Sequence, residues 1–168
     1  RIQNKLTLET DFCTPGVQTD QCIISNTQYA GTGFEVNQGK LQFWIHLNGE
    51  YAITNVPIEA NKWYHAIAVY DGSKVKIYLN GTLAKEEAHQ GQMTVPADGA
   101  KYFFVGADTN GNGEPEYLMQ SGQISMAALY AGAMTNEQVQ TEYKAVQNRP
   151  TEKDPSAGSG SGSTGKRG

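Results

Sequence analysis

From Leu6 onward every apolar run in the chain is short, and a turn signal ends each one before it reaches helical length. The runs are "LTLETDF", "CIISN", "TGFEVN", "KLQFWIHL", "YAITNV", "WYHAIAVY", "KVKIYL", "TLAKEE", "KYFFVGA" and "GQISMAALYAG". Ten such segments without helical stretches between them predict an all-β fold, a two-sheet antiparallel sandwich, and exclude a parallel α/β architecture. The 19 glycines and 9 tyrosines suit many turns and many strands, and 168 residues suffice for one sizeable core. One helical signature closes the fold: in "MTNEQVQTEYKAV", Thr135 can act as N-cap with Gln138 as its capping-box partner. The sandwich is expected over residues 1–149. Residues 150–168, "PTEKDPSAGSGSGSTGKRG" with the proline that opens them, are too poor in apolar groups to order themselves and form a linker or tail.

Charge and hydropathy narrow the function classes. A formal charge of -4 without any block of like charge offers no footprint for a nucleic acid. No run of eighteen apolar residues exists to insert into a membrane. The start at "RIQNKL", without methionine or signal-peptide core, is that of a piece excised or processed from a longer protein.

The two cysteines, Cys13 and Cys22, flank a Pro-Gly loop in "DFCTPGVQTDQCII". If the flanking strands pair, the sulfurs meet at the base of the loop, and a disulfide there would contribute roughly 2–3 kcal/mol. An isolated pair beside one loop favours that bridge and an oxidising compartment; two reduced thiols are the alternative.

Within "KLQFWIHLNGEYAIT", Leu41, Phe43, Ile45 and Leu47 alternate onto one face. Gln42, Trp44 and His46 fall on the other, where a tryptophan exceeds what contact with water requires. The hairpins at Asn48-Gly49 and Asn80-Gly81 admit two-residue turns or loops with one extra bulged residue. The bulged register is expected, because it places Tyr51 and Ile53 beside Phe43 and Leu83 beside Ile77, whereas the two-residue turn leaves Glu50 and Thr54 among core positions. In that register Trp44, His46 and Gln42 share a face with Ala52 and Thr54, and Lys76 and Tyr78 form the corresponding face of the second hairpin. Asn80-Gly81-Thr82 is also a glycosylation sequon, fully explained as a turn.

The stretch "NKWYHAIAVYDGSKVKIYLNGTL", residues 61 to 83, resembles the signature hairpin of the laminin-G-like, concanavalin A-like jelly rolls in its Trp-Tyr-His, Tyr-Asp-Gly and Tyr-x-Asn-Gly elements. "GTGFEVNQGKLQFWI", "FFVGAD" and "SGQISMAALYAGAMTNEQVQTEY" resemble further strands and the closing helix of that family, extending the likeness over residues 6 to 146. The resemblance implies a non-catalytic module of a larger extracellular protein. It also implies calcium in many members, held partly by an acid on the closing strand; here that position is Ser125. In "DTNGNGEPEY", Asp108, Asn110 and Asn112 alternate ahead of Gly113 like the opening of a calcium loop, and they are the candidate calcium ligands, although the twelfth position is Met119 rather than glutamate.

Catalytic patterns are thin. No Glu-x-Asp-x-x-Glu run marks a glucanase strand, and Glu86-Glu87 and Glu114 with Glu116 read as solvated charge. His46, His65 and His89 lie in separate elements, and His65 reads as a structural histidine inside the sandwich. "GSGSGSTGK" follows no strand, so it is no phosphate loop.

The expected function is therefore that of a secreted or cell-surface lectin-like module, working as a monomer. It would stack a sugar on Trp44, with Gln42, His46, Lys76 and Tyr78 as polar partners and Tyr64 as an outlier. The alternative from another class is an architectural domain whose aromatic face packs on a neighbouring domain. A jelly-roll hydrolase or lyase stands third.

Overall fold

The computed structural model describes residues 4–97 and 102–147. The expected tail, residues 150–168, lies outside the described residues.

All ten expected segments become strands. Five form one sheet, here sheet I, in the order β12-β1-β6-β7-β8: β12 (Gln123–Tyr130), β1 (Leu6–Cys13), β6 (Trp63–Tyr70), β7 (Lys74–Leu79) and β8 (Thr82–Ala88). Sheet II runs β5-β4-β3-β2-β9: β5 (Glu50–Pro57), β4 (Lys40–Leu47), β3 (Thr32–Asn37), β2 (Gln21–Ser25) and β9 (Phe104–Val105). A small hairpin joins β10 (Asp108–Thr109) to β11 (Pro115–Glu116). All pairings are antiparallel.

The alternating residues of both sheets meet in one core: Leu6, Leu8 and Phe12 from β1, Ala66, Ala68 and Tyr70 from β6, and Phe34, Leu41, Phe43 and Ile45 from sheet II. Phe34 and Phe43 pack edge to face with centroids 5.7 Å apart. Each sheet therefore turns its other face outward, and the two outer faces differ.

That of sheet I is covered by α1 (Asn136–Gln147). Its capping box forms as the sequence indicates, Gln138 N–H donating to Thr135 Oγ1 (3.2 Å) and Thr135 N–H to Gln138 Oε1 (2.9 Å). Val139 then packs on Ile67, Val69 and Tyr78. The Asn80-Gly81 turn seats the helix: Gly81 has φ +78°, and a Cβ there would strike the Tyr143 ring, so glycine is required on both counts. Asn80 Oδ1 accepts from His65 N–H at 2.8 Å, which ties up the sequon side chain.

Three expectations are corrected. The first concerns register. Both Asn-Gly pairs make two-residue turns with positive φ at both residues (Asn48 50°, Gly49 91°; Asn80 49°, Gly81 78°), the combination whose twist matches the flanking strands. Leu47 thus pairs with Glu50, and Trp44 with Ile53. Tyr51 and Ile53 join Trp44 on the outer face, while Thr54 is fully buried with its hydroxyl unpartnered. Turn geometry and the outward aromatic cluster outweigh one orphaned core hydroxyl. In the second hairpin the two-residue turn pairs half-exposed Leu83 with Tyr78, and the bulge falls beyond it, at Ala84.

The second correction concerns the thiols. β1 and β2 do not pair; the loop between them crosses from sheet I to sheet II. Cys13 sits opposite Trp63 on the outer side of sheet I, and Cys22 opposite Glu35 on the outer side of sheet II. No disulfide joins them, and both are buried thiols. Burial, with Glu35 and Asp108 nearby, pushes the Cys22 thiol far up. We expect a thiol reagent to titrate two groups in denaturant and none rapidly in the folded protein; a single product lacking thiols after denaturation would contradict the two-sheet placement.

The third concerns His65. It is buried, but on the outer side of sheet I beneath α1 rather than between the sheets, with its ring stacked on Tyr143 (5.8 Å). Its Nε2 lies 2.7 Å from Glu9 Oε1, and Tyr130 OH donates to Glu9 Oε2 at 2.9 Å. Burial and the Glu9 carboxylate push the Tyr130 phenol up to about 12.

Candidate functional site

The outer face of sheet II carries the candidate site. β4 presents Gln42, Trp44 and His46 there by alternation, β3 adds Glu35 and Asn37, and the tight Asn48-Gly49 turn delivers Tyr51. Tyr51 makes edge-on contacts with both Trp44 (5.3 Å, 75°) and His46 (4.6 Å, 84°). Trp44 Nε1–H donates to Gln42 Oε1 at 3.2 Å, which fixes the indole orientation.

Two loops raise walls around this face. The segment between β2 and β3 is pinned at both ends: Asn26 N–H donates to Thr32 O (3.1 Å), and Thr32 N–H to Asn26 Oδ1 (3.2 Å). Asp108 on β10 holds its middle, accepting from Thr27 N–H (2.7 Å) and Thr27 Oγ1–H (2.5 Å). Its tip is Tyr29, at φ +52° and 80% exposed. Tyr117, past β11, occupies the opposite wall at φ +48° and is 54% exposed, with its carbonyl accepting from Cys22 N–H at 2.9 Å. A left-handed backbone is uncommon for tyrosine, and both rings are held out toward solvent by it.

Between the walls lies a groove of about 560 Å³. Four aromatic rings line it: Tyr29, Trp44, Tyr51 and Tyr117. Four carboxylates join them, Asp20, Glu35, Asp108 and Glu116, with Gln28, Asn37, Gln38 and Gln42 as amides. None of its described lining residues is lysine or arginine; Lys40, on the same face at the end of β4, stands outside the lining. Burial, the Asp20 charge and a hydrogen bond to Asp20 push Glu35 up from 4.5 to about 7. Neighbouring Glu116, ahead of burial, raises the Tyr117 phenol as well.

A carboxyl raised in the folded state keeps its proton where the unfolded chain has lost it. Folding stability therefore falls as pH rises from about 4.5 to about 7, and is level in this respect above that. We expect Glu35→Gln to remove that slope and to stabilise the protein near pH 8 by about 1 kcal/mol, a figure reduced for partial exposure. Chemical denaturation across the range measures it; an unchanged slope would refute the raised Glu35 carboxyl.

The expected site residues divide. Trp44 and Gln42 line the groove. His46 shares their face but is buried at 5% exposure outside the lining, its Nδ1 unpartnered, and burial pulls its pKa down. Lys76 and Tyr78 are not on that face: they belong to β7 of sheet I, where Tyr78 is buried under α1 and Lys76 lies 3.9 Å from Glu86. Tyr64 packs inward toward Phe12, and its hydroxyl accepts from Glu59 N–H at 2.8 Å. The sequence argument joined two hairpins of similar pattern that the topology assigns to opposite sheets.

The calcium candidates are employed in holding the loop itself. Asp108 accepts from Thr27 with both oxygens, and Asn110 Oδ1 accepts from Asn112 N–H and Glu114 N–H, both at 2.9 Å, bracing the β10–β11 turn while Asn112 stays exposed. Ser125, at the family's acidic position, donates to Asp11 Oδ2 at 2.5 Å. Among the described residues no three His, Cys, Asp or Glu side chains converge on a metal position. Tyr29, Tyr117, Asp20 and Glu35 were not singled out by pattern, all but Glu35 lying outside the alternating strands that line the site, while Asp108, Glu116 and Tyr51 were read as a calcium ligand, solvated charge and a core residue.

A sandwich with one sheet face armoured by a helix and the other forming an aromatic groove has the architecture of a lectin-type jelly roll. The chain belongs to the concanavalin A-like lectin/glucanases superfamily, matched over residues 3–140. Several solved structures share the fold. The receptor binding domain of botulinum neurotoxin D superposes with TM-score 0.68 at 13% identity, over 88% of this chain and 39% of that one. A protein of Bacteroides ovatus provisionally described as carbohydrate binding gives 0.64 at 18%, over 83% and 41%. A structure of botulinum neurotoxin type C, whose cell entry depends on two ganglioside molecules, gives 0.64 at 13%, over 86% and 36%. The chain thus spans less than half of each of these structures. No curated protein matches it in sequence. Among the described residues no helix is long and apolar enough to cross a membrane.

Proposed function

We propose that the chain is a non-catalytic carbohydrate-binding module of a larger secreted or cell-surface protein, and that it holds glycan in the groove on the outer face of sheet II. One observation carries this: the only tryptophan of that face stands with Tyr29 and Tyr117 in an open groove, their orientations fixed by Gln42 and by pinned loops, with amides around them. Flat rings suit the C–H faces of pyranoses, and amides and carboxylates suit their hydroxyls. An architectural domain would need an apolar docking face, and four carboxylates in the groove make a poor one. The lectin-type fold sets no ligand by itself; the site does.

The test is a glycan array and affinity gel with the wild type and Trp44→Ala. We expect a defined set of oligosaccharides to bind the wild type and the variant to lose at least about tenfold in affinity, in line with the 1–3 kcal/mol of a lost stacking contact. Binding that persists unchanged in the variant would remove the groove as the site.

A further inference from the structure

The charge of the groove says more about its ligand than its shape does. Aromatic platforms accept almost any pyranose, but this groove sets Asp20, Glu35, Asp108 and Glu116 beside them without a lining cation. An anionic glycan, whether uronate, sulfate or sialate, would bring like charge into a partly closed space and leave it uncompensated. That class is turned away.

The four carboxylates are not equivalent. Both oxygens of Asp108 accept from Thr27, which orients this carboxylate toward the loop. Glu116 stands beside Tyr117 at the outer wall. Asp20, exposed on the loop ahead of β2, and half-buried Glu35 on β3 both line the groove, close enough that the Asp20 charge helps raise the Glu35 carboxyl. Glu35 pairs across the ladder with Gln42, the amide that orients the Trp44 indole, so Glu35 and Trp44 stand on diagonal positions about 7–8 Å apart, within reach of one sugar residue. Among the described residues no three acidic, His or Cys side chains converge on a metal position. A primary ammonium needs less: three donors in a small volume, which two carboxyls and an amide can accept.

We propose that the groove selects a glycan bearing free primary amines, a de-N-acetylated hexosamine chain, with one ammonium seated between Asp20 and Glu35 and its ring against Trp44. This rests on the sugar-binding reading of the same groove.

The test is isothermal titration of the full chain at about pH 6, where a primary amine keeps its charge, in buffer containing EDTA. The probes are a glucosamine oligomer, the N-acetylglucosamine oligomer of equal length, an oligogalacturonate and an oligolysine. A charge-assisted hydrogen bond exceeds a neutral one by enough to make the glucosamine oligomer bind about tenfold more tightly than its N-acetylated counterpart. The oligogalacturonate should give no heat, and the oligolysine should bind more weakly than the glucosamine oligomer. The double substitution Asp20→Asn with Glu35→Gln should erase the preference for the amine chain while an unchanged thermal melt shows that the variant folds. Equal affinity for the amine and N-acetylated chains would overturn the inference while leaving sugar binding intact. So would oligolysine binding as tight as the sugar, or oligogalacturonate binding once calcium replaces EDTA. If no saccharide of any charge binds, the sugar-binding reading falls and this inference with it.

Discussion

Replacing Glu9 by alanine should destabilise the protein by about 3–5 kcal/mol, the range for removing one member of a buried pair. Glu9 is fully buried between β12 and β6, and its two oxygens serve His65 Nε2 and Tyr130 OH. Without it, the imidazole beneath α1 loses the acceptor for the proton it turns toward Glu9, and the stacked Tyr143 loses a fixed partner. Water cannot easily stand in, because His65 is 2% exposed. Glu9→Gln, which keeps an acceptor of the same shape, should cost less, about 1–2 kcal/mol. Urea unfolding of both variants measures the difference. A loss below about 1 kcal/mol for Glu9→Ala would mean that α1 does not seal this pair in solution.

The second large effect separates two neighbours on one strand. Phe43 is fully buried at the centre of the core against Phe34, and Phe43→Ala should cost about 3–5 kcal/mol through lost burial and the cavity left behind. Trp44, the next residue, points the other way and is only partly buried, with an edge-on Tyr51 as its main ring contact. Trp44→Ala should cost about 1–2 kcal/mol, mostly that contact and the apolar area under it, and leave a folded protein. The core position governs stability and the groove position governs binding. Comparable losses at both would mean that Trp44 is structural.

That contrast also marks how far the sequence could be read. The alternation of Leu41, Phe43, Ile45 and Leu47 against Gln42, Trp44 and His46 assigned both faces of β4 correctly, since a period of two leaves no third choice. The Thr135–Gln138 capping box was legible for the same reason: it is local chemistry at fixed spacing. The pairing register beyond Asn48-Gly49 was not, because hydrophobic count argued for Tyr51 inside, whereas the backbone twist of two positive-φ residues and the contacts of Tyr51 with Trp44 and His46 place it outside. Cys13 and Cys22 look adjacent across a short loop, and nothing in that loop announces that it changes sheets. The same blindness to topology placed Tyr78 beside Trp44, when one lies under α1 and the other on the opposite side of the sandwich. Half of the groove comes from loops, and Tyr29, Asp20, Glu116 and Tyr117 sit where no periodicity guides inference.

The central claim, that glycan rests on Trp44, has a direct optical readout because the chain contains only two tryptophans. In the Trp63→Phe protein all indole emission comes from Trp44. Titration with an oligosaccharide drawn from the array should shift that emission to shorter wavelength saturably, with the same midpoint as calorimetry, as the ring loses water to the sugar face. Emission that stays constant while calorimetry shows the oligosaccharide binding would place the ligand elsewhere on the molecule and contradict the groove assignment.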